Sequence, residues 1–335
     1  MPRRCTRTVS IDRDDPDMGV IAEAAGILRS GGLVAFATET VYGLGADATN
    51  PEAVALIFEA KGRPATNPLI AHVDGSPMAK GCVSHWPTRA GILARRFWPG
   101  PLTMVLPRSR SIPDIVTAGR ETVGVRCPDT AVARLLIREA GVPIAAPSGN
   151  RSTGLSPTCA AHVLDHLDGA IDMVLDSGST ELGLESTVVD LSGIPPRVLR
   201  PGPVSVEALA KVLDEEVAII TEHRDGQEPL DSPGQMAVHY APRTPTYRAE
   251  GDQPIRLPRA GRWALVSFGP VSGRVPGGSV FHCRLRSPRG AAQTLYRILH
   301  SLDKERLDFL LISMPPDEPR WRAVRDRLSR AAQPF

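Results

Sequence analysis

Short apolar runs alternate along the chain with segments whose apolar residues recur every three or four positions, the signature of strands interleaved with helices. Ile21, Ala24, Ala25 and Leu28 keep a 3.6-residue period and predict a helix that opens at Asp15-Pro16 and stops at Gly31. Leu33–Ala37 predicts a strand that delivers Thr38, Glu39 and Thr40 into a turn containing Gly43 and Gly45. Glycine there permits positive φ and leaves no side chain between the turn and a ligand. Asn50 as N-cap, Pro51 at the first helical position and Glu52 in the first turn open a second helix, with Val54, Ile57 and Phe58 toward a core. Lys61 and Arg63 flank Gly62 on a loop before the next apolar run, Leu69–Val73.

The alternation continues. A helix near Pro87–Phe97 precedes the strand Leu102–Leu106, and Thr122–Arg126 is a strand ending in a cation. Asp129 caps a helix through Glu139, and Val142–Ala146 runs into the polar turn Pro147-Ser148-Gly149-Asn150. Pro157–Leu167, Ala170–Leu175, Val188–Leu191 and Val206–Leu213 complete a first unit over residues 1–220, whose first fourteen residues read as a polar lead-in. This is an α/β unit with a mostly buried, mixed sheet. Residues 221–245 are polar and Pro-rich, with Pro233, Tyr240 and Pro242 suggesting an ordered linker that lies over the active site. Residues 246–335 alternate again and predict a smaller second α/β domain.

Length agrees with two domains, since 335 residues are many for one. Hydrophobic content of 42% supports a packed core, and a net charge of +2 neither requires nor excludes nucleic acid. The five cysteines lie far apart with no Cys-x-x-Cys, which argues for reduced thiols in a cytoplasmic compartment. No apolar stretch follows the basic N-terminus and no run reaches transmembrane length, so no membrane association is expected.

Candidate chemistry sits at strand ends. Lys61 with Arg63 suits phosphate, a point charge beside a bidentate fork, although cations after a helix also complement its dipole. Ser148 and Asn150 follow an apolar strand where open α/β sheets bind ligands, yet Ser-Gly-Asn is also ordinary turn chemistry. Arg126 ends a buried strand and needs an anionic partner, either a ligand or a structural carboxylate. His162 and His166, four apart on a helix, lack a third ligand and read as a solvated face, and His72 alone reads as a core histidine. There is no GxxxxGK-Ser/Thr, no GxGxxG after the first strand and no GxSxG, so the common nucleotide and nucleophile loops are missing.

Together the motifs are specific. Thr-Glu-Thr-Val-Tyr-Gly-Leu-Gly from 38, Lys-x-Arg at 61, Ser-x-Asn at 148, Glu-Ser-Thr-Val-Val-Asp at 185, Leu-Arg-Pro-Gly at 199 and His-Tyr-Ala-Pro at 239 occur in order. The chain resembles the long, two-domain form of the threonylcarbamoyl-AMP synthase family, with an N-terminal YrdC-like domain. The resemblance implies a twisted mixed sheet with flanking helices and a concave cationic cleft. It implies a reaction of L-threonine, bicarbonate or CO2, and ATP, with Mg2+ expected alongside ATP. The products would be threonylcarbamoyl-adenylate and pyrophosphate, the former serving a partner transferase that modifies the adenosine beside the anticodon of tRNA.

Carried over by motif, Lys61, Arg63, Asn67, Thr122, Ala146, Ser148, Asn150 and Arg200 would line the ATP side, with Tyr240 joining them from the linker. Lys61, Arg63, Ser148 and Asn150 would act on the reacting phosphates. Thr38, Thr40, His72, Arg126 and Ser186 would hold threonine and its carbamate, Arg126 answering the carboxylate. Two positions depart from the family pattern, Ala37 where proline is usual and Ser177 where a second glycine is usual. The competing readings are a carbamoyl-adenylate-forming carbamoyltransferase, whose zinc-finger cysteines are lacking here, and a module binding double-stranded RNA or tRNA through a basic concave sheet. Weak contact with tRNA is also compatible with the synthase reading.

Overall fold

The computed structural model describes residues 5–220, 230, 233, 239–250, 261–268 and 279–335, with only the backbone of 279 and 280. Most of the expected linker, and with it Ser232, therefore lies outside the described residues. The strands of the first sheet are β1 (Arg7–Ser10), β2 (Val34–Ala37), β3 (Tyr42–Asp47), β4 (Ile70–His72), β5 (Leu102–Pro107), β6 (Thr122–Arg126), β7 (Ile144–Ala145), β8 (Met173–Asp176), β9 (Thr187–Asp190), β10 (Arg197–Arg200) and β11 (Ala218–Ile219). They form an 11-stranded mixed sheet in the order β1-β8-β2-β3-β7-β4-β6-β5-β9-β10-β11. The polar N-terminal stretch is thus not merely a lead-in: β1 pairs parallel to β8 at the sheet edge. An edge strand with one exposed face carries no apolar run, so its pattern is silent.

Alternation along each strand decides what the two faces do. Ala35 and Ala37 of β2 join a large core with Val54 and Ile57 of the helix Pro51–Lys61, with Leu93 of the helix Thr88–Phe97 and with Leu209 of the helix Val206–Leu213. Val34 and Phe36 point the other way, into a core with Ile21 and Leu28 of the helix Met18–Arg29 and Leu136 of the helix Ala131–Ala140. Farther along the sheet the same face carries a small cluster of Val105, Val188 and Leu199. Toward the middle it presents Ile70 and His72 of β4, in register with Gly124 and Arg126 of β6. One face is a core throughout; the other carries a large core at one end, a small apolar cluster toward the other, and the candidate site between them.

Local rules set the helix ends with small shifts from expectation. Asn50 accepts from the backbone N–H groups of Glu52 and Ala53, as an N-cap should. The first helix starts at Asp17 and not at Asp15-Pro16, because the Asp17 carboxylate captures Gly19 and Val20 N–H. Thr130 replaces Asp129 as the cap of its helix, leaving the Asp129 N–H to bond Glu39. Gly43 and Gly45 lie inside β3, antiparallel to β2, and neither has positive φ. Space is the reason for glycine: a Cβ at Gly45 would sit 2.8 Å from both Ile144 and Phe36. The helices Ser76–Cys82 and Asp114–Thr117, which no periodicity announces, lack a side-chain cap.

The remaining strands, β12 (Thr246–Ala249), β13 (Trp263–Ser267), β14 (Ser279–Arg284), β15 (Phe309–Ser313) and β16 (Gln333–Pro334), form a five-stranded sheet in the order β14-β13-β15-β12-β16. Its pairings are all parallel. The helices Pro288–Asp303 and Arg322–Ala331 accompany it. This sheet shares a core with the first: Val41, Leu155 and Leu184 pack with Leu295, Leu299, Trp321 and Leu328, and Tyr240 is part of the same cluster.

A histidine stack also bridges the two sheets' helices. His162 is buried, not solvated as its helical spacing suggested, and lies against His300 with ring centroids 3.7 Å apart. His166 meets His300 edge-on at 6.0 Å, and Lys304 pairs with Asp165 at 2.6 Å beside them. Burial, helped by neighbouring positive groups, holds all three imidazoles at about 4. An ordinary histidine titrates near 6.5, so between these values the unfolded chain binds more protons than the folded one. Stability is therefore full above pH ~6.5 and declines as pH falls toward ~4. Melting temperatures measured from pH 7 to pH 4 should fall, and His300→Gln should flatten that slope. Parallel profiles for the two proteins would remove the stack as its cause.

Candidate active site

The cleft is built from strand ends that the sheet register brings together. It is lined by Thr38 and Thr40 from the turn after β2, Gly43 of β3, Ile70 and His72 of β4, and Arg126 of β6. Arg63, Ala146, Ser148, Glu185, Ser186, Arg200, Pro233, His239 and Tyr240 also line it, with Val41 and Pro147. An isolated bridge between Gly43 and Ser148 fixes the Pro147-Ser148-Gly149 turn against β3. Most of the residues singled out by motif thus meet around one cavity. Lys61, Asn67, Asn150 and Thr122 do not line it.

Lys61 and Asn150 stand behind the wall. The Lys61 ammonium, at the last residue of its helix, is buried and donates to the carbonyls of Ser148, at 2.6 Å, and of Asn150. It therefore holds the shape of the Ser-Gly-Asn turn, and burial together with Arg63 pushes its pKa well down. Asn150 gives its amide to the carbonyls of Arg151 and Gly154, at 2.7 and 2.8 Å. Arg63, on the loop after that helix, is buried as well and clamps the carbonyls of Asn67 and Pro68 at 3.1 and 2.8 Å. Thr122 lines a smaller neighbouring cavity with Thr103, Gly124 and Val188, which shares Ile70 and Pro233 with the main one.

Charge in the cleft is mostly positive. Burial lowers Arg63 to about 9, and burial likewise lowers Arg200, with Arg327 and Arg126 adding to the effect. Burial and then Arg126 hold His72 at about 3, so its imidazole is neutral at any ordinary pH. Two carboxylates offset the cations. Glu39 pairs with Arg126 at 2.7 Å, both side chains being nearly inaccessible. The strand-end arginine thus has the structural carboxylate that its burial called for, and still forms part of the cavity wall. Arg200 donates to the Ser186 carbonyl and hydroxyl, each at 3.1 Å, and that hydroxyl lies 2.8 Å from the Thr103 hydroxyl.

The two departures from pattern are absorbed. Ala37 ends β2 opposite Tyr42, and its carbonyl accepts from the Thr130 hydroxyl at 3.1 Å. Beside Ser177 the left-handed conformation falls on Gly178, at φ 83°.

Motif reading did not single out Glu39, Glu185 or His239, although each sits inside a quoted motif. Glu39 is the middle residue of Thr-Glu-Thr, and a carboxylate between two hydroxyls was the available signal. Tyr240 holds φ at +62°, uncommon for an aromatic residue. Its hydroxyl and His239 Nδ1 are buried without a protein partner among the described residues. Native proteins pair nearly all such groups, and both of these belong to residues that line the cationic cavity.

Comparison with known proteins bears on the same residues. The telomere recombination family matches residues 26–202, and the C-terminal domain family of threonylcarbamoyl-AMP synthase matches residues 204–333. The threonylcarbamoyl-AMP synthase of Bacillus subtilis is 39% identical, over 97% of this chain and 95% of the relative. That of Pyrococcus abyssi is also 39% identical, over 92% and 93%. The crystal structure of P. abyssi Sua5 complexed with L-threonine superposes with a TM-score of 0.87 at 34% identity, covering 98% of this chain and all of that one. The chain belongs to the threonylcarbamoyl-AMP synthase family.

Proposed function

We propose that the cleft joins L-threonine, bicarbonate or CO2, and ATP into threonylcarbamoyl-AMP with release of pyrophosphate. The observation that carries this is the convergence of Arg63, Arg126 and Arg200 on a cavity whose lining residues include Tyr240 and His239, with the Tyr240 hydroxyl and His239 Nδ1 unpaired among the described residues. Three guanidiniums so placed answer a carboxylate and a polyphosphate; the adjoining hydroxyls of Thr38, Thr40, Ser148 and Ser186 suit a small polar amino acid.

The threonine amine adds to CO2, forming an N–C bond and releasing a proton, and the resulting carbamate oxygen attacks the α-phosphorus. The bond from that phosphorus to the bridging oxygen breaks, and pyrophosphate leaves. No side-chain nucleophile is needed; positioning and charge neutralisation supply the catalysis. His72, with its pKa near 3, shapes and hydrogen-bonds the amino-acid end and does not serve as a base. Arg63 and Arg200 would neutralise the phosphates, while Lys61 and Asn150 hold the turn that presents Ser148. Asn67, Thr122 and Ala146 belong to the nucleotide side on this reading. Mg2+ would arrive as ATP's counter-ion. Glu39 is paired with Arg126 and Glu185 with Arg327, so neither carboxylate marks a dedicated metal site.

The same reading divides the chain into a catalytic unit over residues 1–220, a linker over 221–245 and a second unit over 246–335. Two separate sheets support a two-part chain, with β11 still in the first; the family matches meet earlier, near residue 203. His239 and Tyr240 would serve as a lid: both are buried residues of the linker that form part of the cavity wall. The product would pass to a transferase acting on tRNA. Double-stranded RNA is disfavoured as the ligand of the cleft, since its cations are buried rather than displayed on an open surface. No described helix is long and apolar enough to cross a membrane.

Pyrophosphate release should require threonine, bicarbonate and ATP together; equal release without an amino acid would refute the assignment. Arg63→Ala should lower kcat/KM for ATP about tenfold to a hundredfold, a charge-assisted hydrogen bond being worth ~1.5–3 kcal/mol. Its melting temperature should fall too, since the Asn67 and Pro68 carbonyls lose their donor. Unchanged kinetics with a lower melting temperature would make Arg63 purely structural. Tyr240→Ala should lower the yield of threonylcarbamoyl-AMP per ATP consumed, because an adenylate open to water hydrolyses. An undiminished yield would reduce the segment to a tether.

A further inference from the structure

The Glu185 carboxylate does not face the cleft alone. Arg327, on the helix Arg322–Ala331 of the second unit and with no exposed side-chain surface, donates from Nε to Glu185 Oε2 at 2.7 Å. Its Nη1 donates to the Pro201 carbonyl at 2.9 Å, and its guanidinium lies over the Tyr240 ring, 5.2 Å from the centroid. The Tyr296 hydroxyl, from the helix Pro288–Asp303, reaches both Glu185 oxygens at 3.2 and 3.3 Å, and the Ser156 hydroxyl bonds one of them. The Tyr296 and Tyr240 rings stack at 5.9 Å, and the His239 N–H donates to the Arg330 carbonyl at 3.2 Å. Asp326 braces the group by pairing with both Arg327 and Arg330.

Among the described residues, the hydrogen bonds, ion pair and ring contact that Arg327 makes with the first unit and the linker land on residues flanking the reaction. Glu185 precedes Ser186, Pro201 follows Arg200, and Tyr240 closes the cavity. Arg327 itself does not line that cavity. We propose that Arg327 is a positioning residue for the reaction: from the second unit it sets the Glu185-Ser186 wall, the Arg200-Pro201 corner and the face of Tyr240 in one mutual arrangement. A planar fork is suited to three such partners, whereas an ammonium is not. The second unit is then part of the active site, beyond any role in carrying the linker. This inference rests on the threonine–ATP reading of the cleft.

The test uses the full chain with Arg327→Lys, which keeps a charge opposite Glu185, and Tyr296→Phe, which keeps the ion pair and removes only a hydroxyl. Amide hydrogen exchange without substrates should quicken at residues 185–188 and 239–244 in both variants, more in Arg327→Lys, while other segments are unchanged. In kinetics, Arg327→Lys should lose at least tenfold in kcat, with a smaller change in the KM for ATP, and Tyr296→Phe should lose less in the same sense. Unchanged exchange at those two segments would overturn the proposal. So would a loss of activity that tracks melting temperature alone and vanishes when assays are run well below it. A wild-type protein that fails to consume ATP with threonine would defeat the functional reading instead, and the exchange result would still decide the positioning role.

Discussion

Burying several cations in one place is the constraint around which this molecule is arranged. Lys61, Arg63, Arg126 and Arg200 are all nearly inaccessible, and desolvation of that kind is costly unless each charge finds acceptors. The chain supplies them in two ways. Backbone carbonyls of Ser148, Asn150, Asn67, Pro68, Gly100 and Ser186 receive the N–H groups. Carboxylates at Glu39 and Glu185 balance part of the charge. The polar turns at the strand ends are therefore not loosely attached loops: their carbonyls are the solvation shell of the cations.

Glu185 shows how closely the balance is drawn. Burial alone would raise a carboxyl's pKa, yet Arg327 and Arg200, with the Ser156 hydroxyl, bring it down to about 2. The acid is thus ionised throughout the physiological range, and it faces cations from both units. Gly202 belongs to the same corner. A Cβ there would lie 2.4 Å from the Thr187 nitrogen, so the backbone after Arg200 runs against the backbone after Ser186. Only glycine allows that approach, and it keeps the arginine and the serine in contact.

What the sequence disclosed was local. The Asn50-Pro51 helix start, the strand ending at Arg126 and the grouping of hydroxyls and cations at strand ends all follow from patterns within a dozen residues. The motifs then brought together residues as distant as Thr38 and Tyr240, and the structure places both on one cavity wall. Three kinds of feature were not legible. The edge strand β1 is polar because one face meets solvent, and so shows no apolar run. The glycines of β3 looked like turn residues because a demand for space and a demand for positive φ leave the same letter. The burial of Arg63 was not legible because burial of a charge depends on acceptors whose placement no local pattern reveals. The pairing of Glu185 with Arg327 is the extreme case, a contact between residues 142 positions apart.

That separation has a consequence during synthesis. Chains fold from the N-terminus as they are made, at ~5–20 residues per second, so roughly 7–30 s pass between the appearance of Glu185 and that of Arg327. Throughout that interval the large sheet can assemble its helical cores, but the acid at its mouth has only Arg200 of the first unit nearby and lacks the direct ion pair that Arg327 supplies. The cleft therefore remains unfinished on the nascent chain until the helix Arg322–Ala331 has been made.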